Sequence, residues 1–108
     1  MATDPGARLD QIRARILEVD EALVRLAGER LELVLEVGRA KAEMGKPVLD
    51  PGREAAVVRR ASEKARELGV DQELVRDLIW RIIDAARLAQ EGRTSWGPPP
   101  PDRSEAED

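Results

Sequence analysis

The chain has 108 residues, of which 37% are charged and 2% aromatic, with no Cys, His, Phe or Tyr. So short a chain makes one domain at most; the missing Cys excludes disulfides and thiol chemistry, and the missing His removes the usual proton shuttle and the commonest metal ligand. A net charge of -4 argues against a nucleic-acid partner, because such domains usually present a net basic face to phosphates.

The first predicted helix opens at Asp4-Pro5, an N-cap followed by proline at the first helical position, and closes at Gly45 with Lys46-Pro47 beyond it. Its apolar residues step by three and four through Leu9, Ile12, Ile16, Val19, Leu23 and Leu26, then Leu33, Val37, Ala40 and Met44. Position 30, where the pattern calls for a leucine, is an arginine, so Arg30 falls on the seam and needs a partner there. Gly28 and Gly38 lie inside the helix at about 1 kcal/mol each relative to Ala, so packing must compensate.

The second predicted helix opens at Asp50-Pro51-Gly52 and runs through Val57, Val58, Ala61, Ala65 and Leu68 to Gly69. The third opens at Asp71 and carries the stripe Val75, Leu78, Ile79, Ile82, Ile83 and Ala86 before fading near Gly92. No strand signal or internal repeat is present. The expected architecture is therefore all-α, a three-helix subunit with one very long N-terminal helix. About 40 residues in that helix span roughly 60 Å, which overshoots a compact domain of about 100 residues with a radius of gyration near 13 Å. A second copy must then cover the seam, and an intertwined homodimer is the simplest solution.

Residues 1–92 form the expected helical domain. Residues 93–108 combine a polyproline run with an acidic end and read as a disordered tail. No signal peptide is evident and no apolar run approaches the roughly 20 residues that span a bilayer, so a cytoplasmic protein without membrane contact is expected.

Polar residues interrupt the apolar faces. Arg30 and Lys41 are eleven apart and return to within about 20° of one helix face, three turns apart, so their arms can converge on one object. Arg13 points about 100° away from Arg30 and lies roughly 25 Å from it, too far for one pocket within one chain but within reach of a partner's pocket in an antiparallel dimer. Gln90 continues the Ile79, Ile83, Ala86 stripe as an amide where an apolar residue would pack better. Asp50, Arg53 and Glu54 cluster at the start of helix two, where backbone N–H groups face outward. Each also has a plain structural explanation. Arg30 can set coiled-coil register by pairing with a glutamate; Lys41 can snorkel; Arg13 can form a surface pair; Asp50 can be a cap alone.

The run from Leu9 to Glu54 resembles the N-terminal part of the all-helical class of chorismate mutases. It carries Ile12-Arg13, Val19-Asp20, Leu26 with Arg30, Val37-Gly38 with Ala40-Lys41, and Pro47-Val48 with Asp50 and Arg53-Glu54 in the same order and spacing. The likeness extends more weakly to Gln90 and leaves out the tail. It implies a homodimer, free of cofactor and metal, that converts the dianion chorismate to prephenate by a [3,3]-sigmatropic rearrangement in aromatic amino acid biosynthesis. By that resemblance Arg30 binds one substrate carboxylate and Arg13 of the partner subunit the other. Lys41 and Gln90 donate to the ether oxygen, Glu54 takes the substrate hydroxyl, and Arg53 with the backbone near Asp50 closes the pocket. The family commonly has a small hydroxyl residue four positions before the glutamine; here that position is Ala86, so one carboxylate contact is absent. The alternatives on the same fold are an isochorismate-pyruvate lyase and a 4-amino-4-deoxychorismate mutase. Outside catalysis, the alternative is a helical dimerisation module. Docking onto another shikimate-pathway enzyme is compatible with any of these.

Overall fold

The computed structural model describes residues 4–92. They form three helices, α1 (Pro5–Glu43), α2 (Pro51–Leu68) and α3 (Gln72–Gln90), with no strand among the described residues. The expected tail, 93–108, lies outside them.

Each helix begins at an aspartate whose carboxylate accepts orphan backbone N–H groups. Asp4 accepts from Gly6 and Ala7 at 2.9 and 3.2 Å, Asp50 from Arg53 at 3.1 Å, and Asp71 from Glu73 and Leu74 at 2.8 and 3.2 Å. Pro51, like Pro5, occupies the first turn, where its missing N–H is no loss. The stops differ slightly from the expected ones. α1 ends at Glu43 and α3 at Gln90, each two residues before its predicted glycine. α2 ends on Gly69 at φ 72°, and the Val70 N–H reaches back to the Ala65 carbonyl at 2.8 Å.

The packed helix pairs are α2 with α3 and α1 with α3. Leu31, Val58, Ala65, Ile83, Ala85 and Ala86 are the buried apolar residues, half of them alanines, so the core of one chain is thin. Leu78, expected on the buried stripe of α3, is 47% exposed, while Ala85, outside that stripe, is buried. Leu78 and Ala85, seven residues apart, share one face of α3 to within about 20°, so the difference lies along the axis: the buried residues Ile83, Ala85 and Ala86 all fall in the C-terminal half of α3.

α1 joins the core only through its C-terminal half. Leu31 is buried and Val34, Leu35 and Gly38 are half-buried, whereas residues 4–21 are exposed throughout. Nine seam residues, Leu9, Ile12, Ile16, Val19, Leu23, Leu26, Leu33, Val37 and Met44, are between 45% and 62% exposed. Burying a side chain of this kind stabilises by roughly 1.5–3 kcal/mol, so nine half-exposed ones leave on the order of 10 kcal/mol unrealised in a single chain. The shape agrees: the radius of gyration is 18.8 Å and the longest extent 61 Å, against roughly 13 Å for a compact domain of this size.

Candidate active site

The C-terminal half of α1, the first turns of α2 and the C-terminal half of α3 enclose a cavity of about 200 Å³. Val34, Val37, Val48, Val57, Ile83 and Ala86 supply its apolar walls; Arg30, Lys41, Asp50, Arg53, Glu54, Arg87 and Gln90 supply its polar groups. Six of the seven residues singled out from the sequence thus line one cavity, although they come from three helices and from positions up to 60 residues apart. Arg13 does not line it, lying on the exposed half of α1.

Charge is unevenly balanced there. Arg30, Lys41, Arg53 and Arg87 face two carboxylates, Asp50 and Glu54, leaving a surplus of two positive charges. Among the described residues neither the Arg30 nor the Arg53 guanidinium has a hydrogen bond or ion pair. Half-buried Arg30 is not held by any glutamate among the described residues, as a register-setting role within the chain would require. Lys41, its side chain 24% exposed, approaches Asp50 only to 3.9 Å. That distance orients the ammonium by charge while leaving its N–H groups free to donate. Asp50 does this with one oxygen while the other caps α2, so the start of that helix and the position of Lys41 are fixed together.

Gln90 donates its Nε2 to the Val34 carbonyl at 3.1 Å, across from α3 to α1. Gly38 permits this approach: a Cβ at position 38 would lie 3.3 Å from Gln90 Nε2 and 3.7 Å from Val48 Cγ1. A Cβ at Gly28, in contrast, would meet nothing within 4 Å beyond its own helical turn among the described residues, so no close approach there offsets its helical cost. We expect Gly38→Ala to leave the melting temperature unchanged or raise it, because the amide end yields and Ala is the better helix former. The displaced Gln90 should meanwhile lower kcat by about tenfold, since a misplacement of an ångström is enough for such a loss. Melting curves and kinetics on one preparation check both halves.

Sequence reasoning missed Arg87. It grips Glu54 fork to fork, Nη2 to Oε1 at 2.6 Å and Nε to Oε2 at 3.4 Å, and its Nη1 meets Asp84 at 3.3 Å. The Glu54 hydrogen bond is the foremost reason that its already high pKa rises further, so the guanidinium stays charged at every relevant pH. The available signal was helical spacing, because 87 is four after Ile83 and three before Gln90 and so shares their face. Among the described residues no cluster of carboxylates is arranged to hold a metal ion.

Residues 12–91 match the family described as chorismate mutase type II, a span that contains all seven site residues. The chain belongs to that family. Among curated relatives, a 4-amino-4-deoxychorismate mutase of Streptomyces pristinaespiralis is 37% identical over 101 residues, covering 93% of this chain and 76% of that protein. A chorismate mutase of Methanocaldococcus jannaschii is 33% identical over 83 residues, covering 77% and 84% respectively. The T-protein of Enterobacter agglomerans is 40% identical over 77 residues, 71% of this chain. The chain spans about a fifth of the length of that T-protein. No solved structure gave a significant match. For a chorismate mutase family member, the departure noted at position 86 is now explicit: Ala86 is buried against the cavity and offers it no hydroxyl.

Proposed function

We propose that the chain is a chorismate mutase, rearranging chorismate to prephenate in a pocket completed by a second copy. The observation that carries this reading is the surplus of two positive charges in an otherwise apolar cavity, with Arg30 and Arg53 unpaired among the described residues. A dianion of about ten carbons supplies the missing charge. The reaction breaks one C–O bond and forms one C–C bond in a single pericyclic step, with no nucleophile, metal or proton relay. What the protein provides is conformation and electrostatics. Arg30 and Arg13 of the partner subunit each hold a carboxylate, fixing the side chain of the substrate over its ring in the reactive conformer. Lys41 and Gln90 donate to the ether oxygen, on which negative charge grows as the bond lengthens, so their contribution is larger in the transition state than in the ground state. Glu54 accepts from the ring hydroxyl, and Arg53 with the α2 N-terminus closes the mouth.

The homodimer belongs to the same proposal. The uncovered seam of α1 supports it, and Arg30 and Val37 stand on both seam and cavity wall, so a partner on the seam borders the pocket. Cytoplasmic location is likewise proposed; among the described residues no helix is long and apolar enough to cross a membrane. In the bifunctional chorismate mutase/prephenate dehydratase of Escherichia coli, 34% identical over 80 residues, the matched part is 21% of that protein. Docking of this chain onto another enzyme of its pathway is the corresponding proposal.

Incubation with chorismate, isochorismate and 4-amino-4-deoxychorismate, with products identified, tests the reading; turnover of none of them would end it. The amino analogue is the second reading, favoured by the coverage of the Streptomyces relative. The pH profile gives a further check. Gln90 does not titrate, so its donation is independent of pH. In Gln90→Glu only the protonated acid donates, and the ionised form presents like charge to the ether oxygen. With an ordinary glutamate pKa of about 4.3, the variant should lose on the order of a hundredfold at pH 7.5 and recover as pH falls toward 5, while the parent chain stays flat.

A further inference from the structure

We propose that Arg87 is a positioning residue that sets substrate specificity, holding Glu54 as a compensated carboxylate that accepts a neutral hydroxyl and disfavours an ammonium at the same place. The inference rests on the reading of the cavity as a site for chorismate-like dianions and deepens it. It comes from a pair that joins two helices across 33 residues of sequence. Arg87 contacts both oxygens of Glu54, at 2.6 and 3.4 Å, and leaves each oxygen a lone pair. Asp84, one turn earlier on α3, holds the guanidinium from its other edge at 3.3 Å, so the fork is fixed from two sides. The side chains of Glu54 and Arg87 are 19% and 32% exposed, so solvent only partly screens the charges.

The two ligands respond differently to such a pair. A hydroxyl needs an acceptor in the right place, and the bidentate grip supplies it whatever the net charge. An alkyl amine is protonated at neutral pH; it is drawn to a bare carboxylate and repelled by a guanidinium bound behind one. Arg87 also contributes one of the four cavity cations, so its loss halves the positive surplus that faces the dianion.

The test compares kcat/KM for chorismate and 4-amino-4-deoxychorismate in the full chain, Arg87→Met, Arg87→Lys and Glu54→Gln. Arg87→Met should raise the amino-to-hydroxyl ratio about tenfold or more, the size expected when an opposite charge within 4–6 Å loses its neutralising partner. Arg87→Lys, which keeps the charge but not the fork, should fall between parent and Arg87→Met. Glu54→Gln should move the ratio the other way, because the negative charge between the ligand and the guanidinium is then gone while Asp84 balances the guanidinium only from its far edge. A merely structural Arg87 would lower both rates together; an unchanged ratio in Arg87→Met, or a shift of the same sign in Glu54→Gln, overturns the proposal. Circular dichroism reports folding, and if Arg87→Met is unfolded the Lys and Gln variants decide the outcome by the same signs. Failure of the parent chain on both compounds overturns the functional reading together with this one, and is recognised before any variant is compared.

Discussion

Lys41→Ala should lower kcat/KM for chorismate by several hundredfold with helical content and oligomeric state unchanged. Lys41 stands in the cavity wall, largely shielded, and its one ionic neighbour among the described residues is Asp50 at 3.9 Å. That separation is too long for a hydrogen bond, so the ammonium keeps its donors for a ligand. Removing a single donor aimed at developing negative charge raises the barrier by roughly 3 to 4 kcal/mol, and each 1.36 kcal/mol is about a factor of ten. The loss should fall mainly on kcat, because the ether oxygen is a poor acceptor in the ground state and becomes a strong one as the bond breaks. Structure should survive the change. Asp50 continues to accept from the Arg53 N–H, so α2 still starts where it did, and no core side chain is removed. Near-parental turnover would show that the ether oxygen is not where Lys41 points.

Mixing two inactive variants should restore activity. Arg13→Ala removes a group that lies outside the cavity of its own chain, whereas Lys41→Ala removes one inside it. If each pocket takes Lys41 from one subunit and Arg13 from the other, a mixed dimer holds one pocket with both groups and one with neither. Random exchange makes about half of the dimers mixed, so about a quarter of all pockets become whole. Each homodimer alone should be at least about a hundredfold impaired, as expected from loss of a charge-assisted carboxylate contact. The recovered rate, close to a quarter of the parent value after co-refolding, is therefore far above either starting sample. No recovery, with exchange of subunits verified by mass, rules out a shared pocket. Recovery without exchange would instead point to a contaminating enzyme.

The helix starts were legible because capping is local. An aspartate followed by proline or by open backbone N–H groups is decided within four residues, and Asp4, Asp50 and Asp71 all cap as their neighbours suggest. The stops were less so, because a glycine marks where the chain can turn and the helix frays two residues earlier at Glu43 and Gln90. Arg30, Lys41 and Gln90 stood out because each is polar on a face otherwise apolar, a contrast that needs only helical periodicity to see. Arg87 did not stand out. It lies in the last turn of α3, where a basic residue is ordinary, and its significance comes from Glu54 on another helix.

The sequence by itself determined the three helices, the long apolar seam of α1 and the polar residues set into the apolar faces, since all of these follow from spacing along one helix and from caps a few residues long. Only the tertiary structure decided that α3 is buried at Ala85 and exposed at Leu78, two turns earlier on the same face, that Gly38 makes room for Gln90, and that Glu54 is held by Arg87. Those depend on where along its length, and how closely, one helix approaches another, which small differences in side-chain volume control and which no periodicity within a single helix encodes.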